Sequence, residues 1–136
     1  MIRIALALLL ALAPLPALAG AEDAVACNPE GNQLQLNACA GAELAAAQAE
    51  LDATWEQVQQ LHADEDHAVA LSRLQAAHEL WLQLLEADLA AQFPLAEGQD
   101  PRVMYGSMYP MSLALARAGL TRQRTAWLRA TFLEGQ

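Results

Sequence analysis

Cys27 and Cys39 are the only thiols in the chain, and the segment between them opens with Asn28-Pro29-Glu30-Gly31-Asn32. Redox or nucleophilic chemistry would need a C-x-x-C pair or a histidine beside the sulfur to favour the thiolate. Neither is present. The pattern reads instead as a structural disulfide closing a turn-rich loop, because Pro fixes φ while Gly and Asn accept positive φ. A closed loop of roughly 13 residues contributes about 3 kcal/mol in the chain-entropy picture.

His62, Asp64, Glu65, Asp66 and His67 are of metal-ligand types, but their spacing matches no defined zinc or calcium motif. A charged turn between helices accounts for them more simply. His78-Glu79 lacks the second histidine of H-E-x-x-H, and His78 falls on an apolar stripe, which predicts a packed imidazole. Ser72, Ser107 and Ser112 lie in no nucleophile-elbow context. No carboxylate occupies an apolar position where burial would raise its pKa for acid catalysis. With no Gly-rich phosphate loop either, the residues offer no catalytic group, no metal ligand and no cofactor site. They point to a protein that acts by binding rather than to an enzyme.

The elements that position these residues follow from hydrophobic spacing. Leu36, Ala40, Leu44, Ala47, Leu51, Thr54 with Trp55, Val58 and Leu61 recur every three or four residues, predicting one amphipathic helix from about Gln33 to His62. Asp52, Glu56, Gln59 and Gln60 fall on its opposite face. The acids at 64–66 suit the start of a second helix, Asp66 to Ala91, with Leu71, Leu74, His78, Trp81 and Leu85 on its stripe. Ala70, Ala77, Leu80, Leu84 and Ala91 widen that stripe, as for a helix touching two neighbours. The short connection makes these two helices an antiparallel hairpin.

Phe93 to Pro110 holds Pro94, Gly98, Pro101, Gly106 and Pro110 and reads as one long loop. Its segment Val103-Met104-Tyr105-Gly106-Ser107-Met108-Tyr109 is too apolar for an ordinary solvated loop. A third helix, Met111 to Leu133, carries the stripe Ala114, Ala118, Thr121, Thr125, Leu128 and Phe132. Arg117 and Arg124 flank the stripe on one side, Arg122 and Arg129 on the other. Two rows so far apart make a poor phosphate track, and they predict a helix lying in the groove of the acidic hairpin. Trp55, Trp81 and Trp127 at helical spacing read as packing residues. The fold class is therefore all-α, a three-helix domain of one long hairpin plus a C-terminal helix with one disulfide.

Residues 1–19 carry Arg3, the apolar run Ile4 to Ala13 and Ala17-Leu18-Ala19, the pattern of a secretory signal peptide, leaving 20–136 as a single domain. Pro14 and Pro16 interrupt a run too short to span a bilayer, so no stable membrane insertion is expected. Arg3 leaves with the leader, so 20–136 has six arginines, no lysine and sixteen acids, a net charge of −10. The imbalance excludes nucleic acid as a natural partner and favours cationic ones. It is also uneven: residues 20–100 hold fifteen acids and one arginine, residues 101–136 five arginines and Glu134.

Gln33-Leu34-Gln35-Leu36-Asn37-Ala38-Cys39-Ala40 resembles the Q-x-x-[ML]-N-x-C-A signature of the lysozyme inhibitor LprI-like N-terminal domain family. Trp81 resembles that family's second-helix tryptophan, Gly106-Ser107 with Pro110-Met111 its Gly-Ser loop, and Thr121 to Arg124 with Leu128 its T-x-x-R-x-x-x-L. Many members carry a second disulfide at positions that here are Leu89 and Ala116, and an apolar contact in its place would hold the third helix less tightly. The family's usual Gln and Arg around the tryptophan are His78 and Leu85. The resemblance implies an exported, periplasmic or secreted helical domain with a protein partner, lysozyme being the named one. The expected contact surface is the loop residues Met104, Tyr105, Ser107, Met108 and Tyr109 with the acidic helix faces. The alternative is a periplasmic interaction or structural module without lysozyme inhibition.

Overall fold

The computed structural model describes residues 25–134; the expected signal peptide, residues 1–19, lies outside them, as do residues 20–24 and 135–136. Three long helices form the domain: α1 (Gln33–Leu61), α2 (Ala68–Gln92) and, after the short α3 (Pro101–Tyr105), α4 (Tyr109–Leu128). Single 3-10 turns at Glu65–His67 and Gly106–Met108 and a π turn at Arg129–Leu133 complete it, and no strand occurs among the described residues. The all-α, three-helix expectation holds. No helix among these residues is long and apolar enough to cross a membrane.

Helix α1 starts where Asn32 can cap it. The Asn32 side chain accepts from the Gln35 amide at 3.1 Å, and the Gln35 side chain accepts from the Asn32 amide at 3.1 Å, the reciprocal bonds of a capping box. The Cys27–Cys39 disulfide then ties the preceding turn to the helix, with a Cα–Cα distance of 4.5 Å. At the far end His62 caps α1, its ring Nδ1 lying 2.9 Å from the Val58 carbonyl oxygen. Asp64 accepts from the His67 amide at 2.9 Å, which starts the turn into α2.

Core formation follows the predicted stripes. Leu51, Val58, Leu74 and Leu128 form the centre, with Trp55, Trp81, Phe132 and Leu133 packed around them. The closest helix pair is α1 with α4. Their shared seam is built of small buried residues: Ala40, Ala47 and Thr54 from α1, Ala118, Thr121 and Thr125 from α4. Short side chains let the two backbones approach, and Thr125 satisfies its hydroxyl by donating to the Thr121 carbonyl at 3.1 Å. Arg122 pairs with Glu43 at 2.7 Å and Arg129 with Glu50 at 2.6 Å. Each step of seven on α4 matches seven on α1, so the two run parallel. Arg117 meets Glu86 of α2 with its two terminal guanidinium nitrogens on the two carboxylate oxygens, and Arg124, further along α4, lies over Trp81, further back on α2, so these two helices run antiparallel.

Three expectations change. The stretch 93–110 is not one loop: Asp100 accepts from the Arg102 amide at 2.7 Å and Pro101 takes the first position of α3. Proline there costs nothing, because that amide has no intrahelical partner. Pro110 sits equally in the first turn of α4, which therefore begins at Tyr109 instead of Met111 and runs unbroken through Gly119. Finally, the wide apolar arc of α2 is not covered, since Leu80 and Leu84 remain exposed. One stripe of α2 serves both neighbours because α1 and α4 lie so close together that they present a single groove.

Candidate functional site

The segment singled out by its apolar composition forms a tip at the disulfide end of the bundle. Tyr105 and Tyr109 stack on each other, with ring centroids 5.5 Å apart and planes at 18°. Phe93, just after α2, meets both edge-on at 5.8 and 5.7 Å. The Tyr105 hydroxyl donates to the Pro94 carbonyl at 2.8 Å, satisfying the polar end of the ring. The two tyrosines are half-buried supports that weld α3 and α4 to the end of α2.

What the tip presents to solvent is aliphatic. Val103 is 81% exposed, Met104 50% and Met108 53%. Gly106, at φ +72°, caps the end of α3 between Met104 and Met108 in sequence; a side chain there would be strained. Ser107 is exposed too, and its carbonyl accepts from Asn37 Nδ2 at 3.3 Å. Four residues earlier on α1, Gln33 donates to Asn37 Oδ1 at 2.9 Å and lies 3.8 Å from the Met111 sulfur. The capping box and the disulfide thus hold the helix start from which Asn37 and Gln33 reach the tip.

Of the five predicted contact residues, Met104, Ser107 and Met108 face solvent together, whereas Tyr105 and Tyr109 turn inward onto Phe93. Val103 is the exposed tip residue that prediction of the site omitted, although it stands in the same apolar run. Gln33 and Asn37 were legible only as parts of a signature; nothing local marks them as holding a segment some seventy residues away.

Charge is distributed as the composition implies. Glu43, Glu50 and Glu86 are engaged by α4 and the turn after it. The Arg117 hydrogen bonds hold the Glu86 carboxyl below the usual carboxylate range. Asp52, Glu56 and Glu79 have no basic partner within salt-bridge distance among the described residues, so the outer faces of α1 and α2 stay acidic. Leu89, one of the two positions at which the resemblance would place a second disulfide, is buried.

The family model described as "Lysozyme inhibitor LprI" matches residues 25–128, nearly all of the described chain. No curated protein and no solved structure matches it.

Proposed function

This chain belongs to the lysozyme inhibitor LprI family, and on that premise we propose that it is an exported binding protein that inhibits a cationic, lysozyme-type cell-wall hydrolase. The observation that carries this reading is the tip: Val103, Met104 and Met108 are exposed together on a turn held rigid by the Phe93–Tyr105–Tyr109 cluster and by Asn37. Apolar anchors on a pre-ordered turn lose little conformational entropy on docking, which is what a binding hot spot needs. Methionine adapts its shape to an irregular concave surface. The acidic faces of α1 and α2 would steer a basic enzyme toward the domain and raise its encounter rate.

The test is a lytic assay in which purified residues 20–136 are titrated against basic lysozymes at low and moderate salt. Inhibition is expected, weaker at moderate salt because screening removes the steering. The triple variant Val103→Ser, Met104→Ser, Met108→Ser should inhibit about tenfold less or worse, with an unchanged thermal melt because these side chains are exposed. Absence of both inhibition and salt-sensitive binding across the enzymes would refute the reading in favour of a module with another envelope partner.

A further inference from the structure

Among the four arginines between 117 and 129, three meet a glutamate of α1 or α2 and Arg124 does not. Its guanidinium carbon lies 4.5 Å from the Trp127 ring centroid and 5.5 Å from that of Trp81. Nε and Nη2 are buried without a hydrogen-bond partner. These two nitrogens form the side-on edge that a carboxylate grips with both oxygens. An unpaired, desolvated guanidinium is costly, and the usual remedy is an anion.

Next to Arg124 a recess of about 330 Å³ opens between α2 and α4, lined by Trp81, Leu84, Asp88, Leu120, Arg124 and Trp127. Leu84 and Leu120 supply an apolar stretch between a cationic end and an acidic one. Along α2, the seven steps from Trp81, beside Arg124, to Asp88 span about 10 Å at 1.5 Å per residue. An extended tripeptide reaches about 10 Å from its ammonium to its carboxylate.

We propose that this recess binds short free peptides, with the C-terminal carboxylate on Arg124, the terminal ammonium at Asp88 and an aliphatic side chain against Leu84, Leu120 and Trp127. Nε and Nη2 are buried in the unliganded domain, so docking of the carboxylate requires a shift of the Trp127 ring, which is 45% exposed but lies on the guanidinium and edge-on to Phe132. None of these residues belongs to the tip, so the site stands or falls independently of hydrolase inhibition.

The experiment is an NMR titration of the intact domain with the tripeptide Ala-Leu-Ala, following the indole signal of Trp127 and the Nε–H signal of Arg124. Saturable shifts of both are expected. Amidating the C-terminus should weaken binding about tenfold or more, since a charge-assisted bidentate pair is lost. Acetylating the N-terminus should weaken it less, about threefold, because Asp88 is only half-buried and its pairing is partly screened. Arg124→Gln should match the effect of amidation. The proposal is overturned by no saturable shift at peptide concentrations on the order of 10 mM, or by equal affinity for the free peptide and either capped form. The peptide comparisons use the unmodified protein, so they decide the matter even where Arg124→Gln fails to fold.

Discussion

Helix α4 has two flanks made in different ways. Toward α1 it offers Ala118, Thr121 and Thr125, all buried against Ala40, Ala47 and Thr54, and that seam is bordered by the Arg122–Glu43 and Arg129–Glu50 pairs. Toward α2 it offers Leu120, Arg124 and Trp127, which stand off from Trp81, Leu84 and Asp88 around an open recess. Small side chains bring backbones together and leave no room for a ligand. Large side chains and an unpaired cation hold helices apart and leave surface uncovered. Stability is therefore concentrated on the α1 flank, and binding capacity on the α2 flank and at the tip.

The sharpest way to break that division is to cut equal side chains on either side of it. Leu51, 1% exposed in the central core, should lose about 2–5 kcal/mol on Leu51→Ala, through lost transfer energy and the cavity left behind. Leu84, 56% exposed on the rim of the recess, should lose no more than about 0.5 kcal/mol on Leu84→Ala. Urea unfolding of both variants measures the contrast. Comparable losses would mean that the α2 flank carries as much of the fold as the α1 flank.

The disulfide gives a second, smaller test on the α1 side. Cys27–Cys39 is the only bridge among the described residues and closes a short loop, so reduction should cost about 3 kcal/mol or less. It anchors the helix start that carries Gln33 and Asn37, so the tip should loosen along with it. A thermal melt followed with and without reductant should shift clearly downward, and amide exchange of residues 103–108 should speed up. A melt that ignores reductant would leave the capping box as sufficient anchor by itself.

Most of the α1 flank was legible in the sequence, because a buried stripe repeats every three to four residues and every buried position of α4 lies on the predicted one. The two arginine rows were legible for the same reason: position around a helix follows from spacing alone. α3 was not, although Asp100-Pro101 is a sound helix start; the density of Pro and Gly around it outweighed a signal only two residues long. The uncovered arc of α2 was misjudged because periodicity reports how much of a helix is apolar but not how wide a groove its neighbours present. Helical spacing did not tell Arg124 from Arg117, although the T-x-x-R signature contains only Arg124: both lie on one flank, and the α2 residue opposite each, Trp81 or Glu86, decides whether a carboxylate is in reach. Trp127, expected among the packing residues, packs edge-on against Phe132 and against Arg124 while remaining 45% exposed.

The smallest expected effect concerns His78, which joins the two flanks. Its ring stacks on Trp55 of α1, centroids 4.2 Å apart and planes at 13°, and lies 5.6 Å from Trp81 of α2. Nδ1 is buried with no partner, so a proton there would find nothing to accept it. Burial pushes the imidazole pKa down and the positive charge of Arg124 adds to this, while Asp52 and Glu79 pull weakly the other way. The folded protein therefore favours the neutral ring, whereas the unfolded chain takes up a proton near the ordinary value of about 6.5. Between the two pKa values the unfolded state binds more protons, so stability is complete above pH of about 6.5 and is lost as pH falls through the folded value. The lowered carboxyls, Asp64 and Glu86, give up their contributions only below their ordinary values of 3.8 and 4.5, which leaves the window above about pH 5 to histidine. Urea midpoints measured across that window should decline on acidification, and His78→Gln, which keeps a polar side chain of similar reach without a titrating ring, should flatten the decline. If the slope survives the substitution, the proton enters elsewhere and the contact between the flanks is insensitive to pH.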